Sequence, residues 1–285
     1  MASMRDIKRR KNSISSTQQI TKAMKLVSTV KLQRAKSKAE ETIPYFDTMY
    51  NTVCSMLAKA GQIDNVYLKP NDSGKTGIIS ITSNRGLAGG YNSNIVKAIT
   101  GSDIPKENAC IYNIGRKGNE GLTARGYNIV ADYSEVMEAP VYVDAMNICN
   151  DVLKAYADGE IGEIYLAYTF FKNTVSHETR LIKLLPVEIS EEDIANASTQ
   201  AMMNFEPNEE EALALIIPKY VTSLIYGALI EAVASENGAR MQAMDSATSN
   251  AEEMISDLSL KYNRARQGSI TQELTEIIAG AEAIS

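Results

Sequence analysis

Both ends of the chain are written as helices too long for one globular core, with a compact α/β segment held between them. From Asn208 to Ser285 only Pro218 interrupts a helical composition, so at about 1.5 Å per residue the stretch could reach about 110 Å. The segment from Ser3 to roughly Leu57, interrupted only by Pro44, could span about 80 Å by the same rise. Rods of this length cannot be covered by a small domain. They must pair with each other or with another molecule. Neither helix has a second copy and no solenoid period is present, so the simplest pairing is antiparallel, one end of the chain against the other.

The C-terminal helix carries its own seam. Met241, Met244, Thr248, Ala251, Ile255, Leu258, Tyr262 and Ala265 alternate by three and four, the period of a coiled coil. Beside them Ala239, Ala243, Ala247 and Ala251 form an i,i+4 ladder of small side chains that lets another backbone approach closely. Asn208 with Glu211 three residues on resembles an N-cap with its returning acid, which starts the helix just after Pro207; Pro218 either kinks the rod or marks a second start. The N-terminal helix has a thinner apolar stripe, expected along Met4, Ile7, Ile14, Ile20, Met24, Val27 and Val30.

The net charge of −6 hides a basic rod. Before Ala39 stand Arg5, Lys8, Arg9, Arg10, Lys11, Lys22, Lys25, Lys31, Arg34, Lys36 and Lys38 against Asp6 alone, so the rest of the chain is strongly acidic. Such a helix can meet nucleic-acid phosphates, anionic lipid or acidic protein, or simply be a solvated face. Cys54, Cys110 and Cys149 are odd in number and widely spaced, which points to reduced, partly buried thiols rather than a disulfide framework or metal site. No apolar run approaches the eighteen or so residues needed to cross a bilayer, and the polar Ser13–Ser28 stretch gives no secretory h-region. A mature start and a cytoplasmic location are the expectation.

Between about Gly74 and Glu188 the pattern changes to alternating strand and helix. Strands are predicted at Gly77–Ser83, Ala109–Ile114, Tyr127–Ala131, Glu163–Phe171 and Arg180–Ile189, and helices at Tyr91–Ile99, Arg116–Arg125 and Val141–Ala157. The predicted fold is therefore α/β: a Rossmann-like central domain with a mostly parallel sheet, plus a long antiparallel coiled coil of the terminal helices. The expected segments are 1–60, 74–190 and 208–285.

No self-contained chemistry emerges. Ser73-Gly74-Lys75-Thr76 looks like the end of a phosphate-binding loop, but Lys69 stands where that motif needs glycine, and a strand follows where a helix is required. The turn Gly86-Leu87-Ala88-Gly89-Gly90 lies between strand and helix without dinucleotide-binding spacing. The single histidine, His177, reads as an exposed hairpin residue and builds no catalytic triad. Glu191-Glu192-Asp193 and Glu209-Glu210-Glu211 sit at helix starts, where acids complement the dipole. No Cys or His set resembles a metal site, and no cofactor is expected.

Three motifs in order resemble one family. Met4-Arg-Asp-Ile-Lys-Arg-Arg10 with Thr17-Gln-Gln-Ile-Thr-Lys-Ala-Met-Lys25, then Ser83-Asn-Arg-Gly-Leu-Ala-Gly-Gly-Tyr-Asn92, then Tyr262-Asn-Arg-Ala-Arg-Gln267 with Ile270-Thr-Gln-Glu-Leu-Thr-Glu276, are similar to the γ subunit of F-type rotary ATP synthases. The resemblance covers the whole chain. It implies a non-catalytic central-stalk rotor, its terminal helices a shaft inside a hexamer of α and β subunits, its sheet domain resting on the ε subunit and the c-ring. It also implies a peripheral place on the cytoplasmic face of the cell membrane and no nucleic-acid partner.

By motif, the resemblance assigns Lys22, Met24 and Lys25 to the segment passing near the β-subunit lever, Arg266 and Gln267 to a pair that hydrogen-bonds a β loop, and Thr271 and Glu273 to its support. Met24 as a plain seam residue and Gln267 as a solvated position stay open. Ala88 stands where many relatives have cysteine, and Gly268 replaces a usual alanine, at a helix-propensity cost of up to roughly 1 kcal/mol. The competing reading is a nucleotide-binding α/β domain with a coiled-coil arm.

Overall fold

The computed structural model describes residues 4–59, 66–69, 73–174, 176–187 and 209–282. In chain order the elements are α1 (Met4–Lys59), β1 (Thr76–Ile81), α2 (Tyr91–Thr100), β2 (Ala109–Ile114), α3 (Arg116–Thr123), β3 (Asn128–Asp132), α4 (Tyr142–Ala157), β4 (Glu163–Phe171), β5 (His177–Leu185) and α5 (Glu209–Glu282). Short 3₁₀ turns at Lys106–Asn108 and Ser134–Glu138 precede β2 and α4. The chain divides into two compact units, residues 1–28 with 241–285 and residues 29–240.

In the larger unit the five strands form one sheet in the order β3-β2-β1-β4-β5, the first four parallel and β5 antiparallel to β4. All six residues of β1 are buried, as expected of a central parallel strand with helices over both faces. One side packs Ile79, Ile81 and Leu166 against Ile148 and Val152 of α4, Val53 and Met56 of α1, and Leu213, Ile217, Ile225 and Leu229 of α5. The other packs Ile78, Ile111 and Ala167 against Ile95 and Ile99 of α2 and Leu122 of α3. Strands β2 and β4 match the sequence expectation residue for residue. Strand β5 begins three residues earlier than expected because His177 pairs with Phe171 at the hairpin end.

Both prolines lie inside continuous helices, Pro44 in α1 and Pro218 in α5. A proline inside a helix costs about 3 kcal/mol in a bare rod, but here neighbouring side chains are held by packing. Leu213, Ile217, Tyr220 and Val221 around Pro218 are buried. Around Pro44, Phe46 meets Tyr226 edge-on at 6.5 Å and Tyr50 lies 6.3 Å from Tyr220. These pairs run antiparallel, since higher numbers on α1 meet lower numbers on α5. The N-cap expected at Asn208, the acids at 191–193 and the end of the last predicted strand lie outside the described residues.

One 18-residue window of α5 does reach a membrane-like mean hydropathy of 1.7, although no contiguous run suggested it. Just over half of it, 56%, is buried in the fold, which marks it as core helix.

In the smaller unit α1 and α5 pair antiparallel through a narrow, partly polar seam. One hydroxyl of the Thr21–Thr248 pair donates to the other at 2.8 Å, the Gln18 amide donates to Glu252 at 3.0 Å, and Lys25 pairs with Asp245 at 2.6 Å. On α5 every expected seam position is at least half-buried, with Met244, Thr248, Ala251 and Leu258 buried outright.

The α1 stripe needs correction. Met4, Ile7, Ile14 and Met24 are half-buried, but Ile20, Val27 and Val30 are 60%, 57% and 53% exposed. Thr21 and Ser28 take the inner positions instead, because close helix approach there favours small side chains whose hydroxyls can be satisfied, as the Thr21–Thr248 bond is.

Candidate functional site

In an open α/β sheet, ligands bind beyond the carboxyl ends of the strands where the strand order reverses, here between β1 and β4. In this chain helix α5 occupies that crevice. Ser235 Oγ donates to the Thr169 carbonyl near the end of β4 at 3.1 Å. The Tyr91 hydroxyl at the start of α2 donates to the Ala232 carbonyl at 3.2 Å. Burial raises the Tyr91 phenol well above its ordinary value, with Glu236 adding to the rise and Arg240 opposing it, so the donor proton stays in place.

The glycine turn after β1 is fastened to the same helix. Ser83 N–H donates to Asn92 Oδ1 at 2.9 Å, Asn92 Nδ2 to Ser83 Oγ at 2.8 Å, and Ser83 Oγ to the Arg85 carbonyl at 2.7 Å. Leu87 and Gly89 take positive φ of 63° and 56°, which turns the loop tightly. Arg240 then donates from Nε to the Gly86 carbonyl at 3.4 Å and from Nη2 to the Arg85 and Gly86 carbonyls at 3.3 Å, while Glu236 pairs with Nη2 at 2.7 Å. A phosphate cradle needs converging N–H donors. This turn instead presents carbonyls to a guanidinium, so it is a structural latch. Ser73–Thr76 likewise leads straight into β1, where a phosphate-binding loop would lead into a helix.

The sequence-assigned contact residues all lie on the smaller unit, in two groups. On α1, Lys22 is exposed, Met24 is half-buried, and Lys25 is half-buried and paired with Asp245. On α5, Arg266, Gln267, Thr271 and Glu273 are all exposed, with Thr271 Oγ1 donating to the Gln267 carbonyl at 2.9 Å. The two groups do not converge: Thr248, opposite Thr21, precedes Arg266 by roughly 27 Å of helix rise. Beyond Ser269 every α5 residue through Ala281 is exposed, including Ile270, Leu274, Ile277 and Ile278 at 49–67%. Gly268 has nothing within 4 Å of where a Cβ would sit.

His177 is not the exposed hairpin residue the sequence suggested. It is half-buried as the first residue of β5, with its ring 5.9 Å from Phe171, and a Cβ on Gly238 would fall 2.7 Å from its Cε1. Glycine at 238 is what lets the ring tuck under α5. The three cysteines are free, with Cys54 and Cys149 buried; burial pushes the Cys149 thiol up to about 11, so it stays protonated. Among the described residues no group of His, Cys, Asp and Glu is placed to hold a metal. Sequence reasoning missed the Arg240–Glu236 latch. Its signal is the run Ser235-Glu236-Asn237 with Arg240, a polar island in an otherwise apolar stretch of α5, and all four are buried.

A family model described as ATP synthase matches residues 3–284. The ATP synthase gamma chain of Lachnoclostridium phytofermentans is 68% identical over the full length of both chains. The ATP synthase gamma chain of Alkaliphilus metalliredigens is 43% identical over 99% of this chain and 98% of that one, and the sodium-ion-specific gamma chain of Acetobacterium woodii 39% over 99% of each. Among solved structures, a chain of the Tetrahymena thermophila mitochondrial ATP synthase central stalk and c-ring matches 80% of this chain and 99% of its own length at 25% identity and a TM-score of 0.59. A chain of the Euglena gracilis mitochondrial enzyme shares the fold over 99% of this chain and 94% of its own, at 17% identity and a TM-score of 0.69. With its motifs, its paired terminal helices and its five-stranded sheet all in agreement, this chain belongs to the family of ATP synthase gamma chains.

Proposed function

We propose that this chain is the central-stalk rotor of a membrane ATP synthase, turning inside a hexamer of α and β subunits and coupling ion flow through a c-ring to the cycling of the β catalytic sites. The observation that carries this reading is the bare end of α5: beyond Ser269 the helix that pairs with α1 further back leaves four large apolar side chains exposed. An apolar helix end of this kind needs a surrounding surface. Full-length similarity to gamma chains supports the hexamer of α and β subunits as that surface. In this reading residues 1–60 and 208–285 are the shaft, and 74–190 is the body that rests on the ε subunit and c-ring. The chain is non-catalytic, a peripheral part of the membrane-bound complex on the cytoplasmic face of the cell membrane, and it binds no nucleic acid.

The α5 latch over the sheet crevice also speaks against the nucleotide-binding alternative, since a ligand there would have to displace Ser235 and Arg240. The isolated chain should hydrolyse no ATP, and when mixed with matching α and β subunits it should complete a complex that hydrolyses ATP with rotation. A mixture equally active with a chain truncated before Tyr262 would overturn the rotor reading.

Lys22, Met24 and Lys25 are proposed to pass the β lever, with Lys22 the freer of the two lysines because Lys25 pairs with Asp245. Arg266, Gln267, Thr271 and Glu273 are proposed to meet a β loop, which their full exposure permits. Arg266→Ala or Gln267→Ala should cut ATP turnover of the assembled complex by about tenfold, the loss of one hydrogen bond to a charged or polar partner of about 1.4 kcal/mol. The circular dichroism of the free chain should not change. Unaltered turnover in both variants would remove the assignment.

A further inference from the structure

Where α5 meets the end of the β4–β5 hairpin, two ionisable side chains carry buried polar atoms that have no hydrogen-bond partner. Glu231 Oε2 is buried and unbonded, and so are both ring nitrogens of His177. They lie one on each side of the contact, Glu231 seven residues before Gly238 and therefore two turns along the helix face against which His177 packs. The hairpin carbonyl of Thr169 accepts from Ser235 between them.

The charged and titratable neighbours do not compensate Glu231. On β5, Arg180 is engaged by Glu178 at 3.0 Å and lies over the Phe170 ring at 3.6 Å. Tyr168 of β4 shares Arg180 and feels the Glu231 charge. On α5 itself, Glu236 and Arg240 satisfy each other and the glycine turn, and Tyr91 of α2 is committed to Ala232. An ionised carboxylate here would be buried against a cation already in use, which is a costly arrangement.

We propose that the seam between α5 and the end of the β4–β5 hairpin is a proton-sensitive joint, closed while Glu231 and His177 are uncharged and opened more readily once Glu231 ionises. Burial raises the Glu231 carboxyl from 4.5 to about 7, with Arg180 opposing the rise. An acid that holds its proton more tightly when folded favours the closed seam most below its unfolded value. The closed state loses ground as pH climbs from 4.5 to about 7, and the penalty is constant beyond that. Burial pushes His177 down, so it stays neutral to lower pH than a free imidazole and adds no charge on the alkaline side.

Amide hydrogen exchange on the full chain tests this. After correction for the intrinsic rate, protection of residues 228–240 and 166–173 should fall about thirtyfold between about pH 5.5 and 8.5, as linkage of one such carboxyl requires. Glu231→Gln should flatten that fall, and His177→Gln should leave it in place. A flat wild-type profile, a fall that survives Glu231→Gln, or one abolished by His177→Gln would each overturn the proposal. If Glu231→Gln does not fold, carboxyl ¹³C titration of the wild-type chain decides: a glutamate with its midpoint near neutrality supports the joint, and its absence refutes it.

Discussion

Gly115→Ala is expected to destroy the α/β unit. Gly115 follows β2 with φ of 96° and ψ of 129°, a backbone region that L side chains rarely adopt. A Cβ there would lie 2.1 Å from the Thr82 carbonyl oxygen and 2.5 Å from its carbon. Neither atom can retreat. Thr82 N–H donates to Ile114 at 2.8 Å, its hydroxyl lies 3.0–3.1 Å from the Ile114 and Gly115 carbonyls, and the same hydroxyl accepts from Gly118 N–H at 2.8 Å. Strain of a few kcal/mol from φ adds to a backbone clash, so a loss above about 4 kcal/mol is expected. That is a large share of the roughly 5–15 kcal/mol that holds a domain together.

Thermal unfolding and soluble yield measure the effect. Gly268→Ala is the control, because nothing stands within 4 Å of its Cβ position and helix propensity favours alanine by up to about 1 kcal/mol. A Gly115→Ala chain melting within a few degrees of wild type would mean that the crossing of the segments after β1 and β2 is looser than its geometry states.

The sheet was the most legible part of the sequence. Ile78, Ile79 and Ile81, or Ile111 and Ile114, stand in short, almost uninterrupted apolar runs, the signature of strands covered on both faces. The α5 seam was legible for a related reason: its Met, Leu and Ala positions are apolar, so hydropathy reports burial directly. The α1 seam was not. Its inner positions are Thr21 and Ser28, which close helix packing selects for size, while the apolar Ile20, Leu26, Val27 and Val30 face outward. Periodicity of hydropathy sorts burial within a chain and cannot separate a core face from a face meant for another protein.

The prolines act in the opposite sense. Local chemistry allows a kink or a second helix start at Pro218, and with Tyr50 packed on Tyr220 and Ile217 buried beside Pro218 there is no second start: one helix runs through it. For the candidate site, motif order pointed to the family, but single-residue reasoning placed His177 in solvent. Nothing local signals Gly238, whose missing side chain admits the ring from sixty residues away.

Arg240→Met is expected to cost about 3–5 kcal/mol, the usual penalty for removing one partner of a buried ion pair. Arg240 and Glu236 side chains are only 10% and 12% exposed, so solvent does little to replace the lost guanidinium. The change leaves a carboxylate enclosed beside the Tyr91 phenol, takes the guanidinium donor from the Gly86 carbonyl and leaves the Arg85 carbonyl to Ser83 Oγ alone. Pairing Arg240→Met with Glu236→Gln removes the stranded charge, so the double variant should recover about half of the loss or more. What it cannot recover is the latch, and exchange of the amides of residues 85–90 should stay fast in both variants.

That separation distinguishes two roles of one side chain: neutralising Glu236 and fastening the turn to α5. If Arg240→Met costs under about 1 kcal/mol, or the double variant restores slow exchange at residues 85–90, the turn is held by the Ser83–Asn92 bonds alone. In that event α5 lies over the sheet crevice through Ser235 and Tyr91, and the glycine turn is free to serve as a contact surface in its own right.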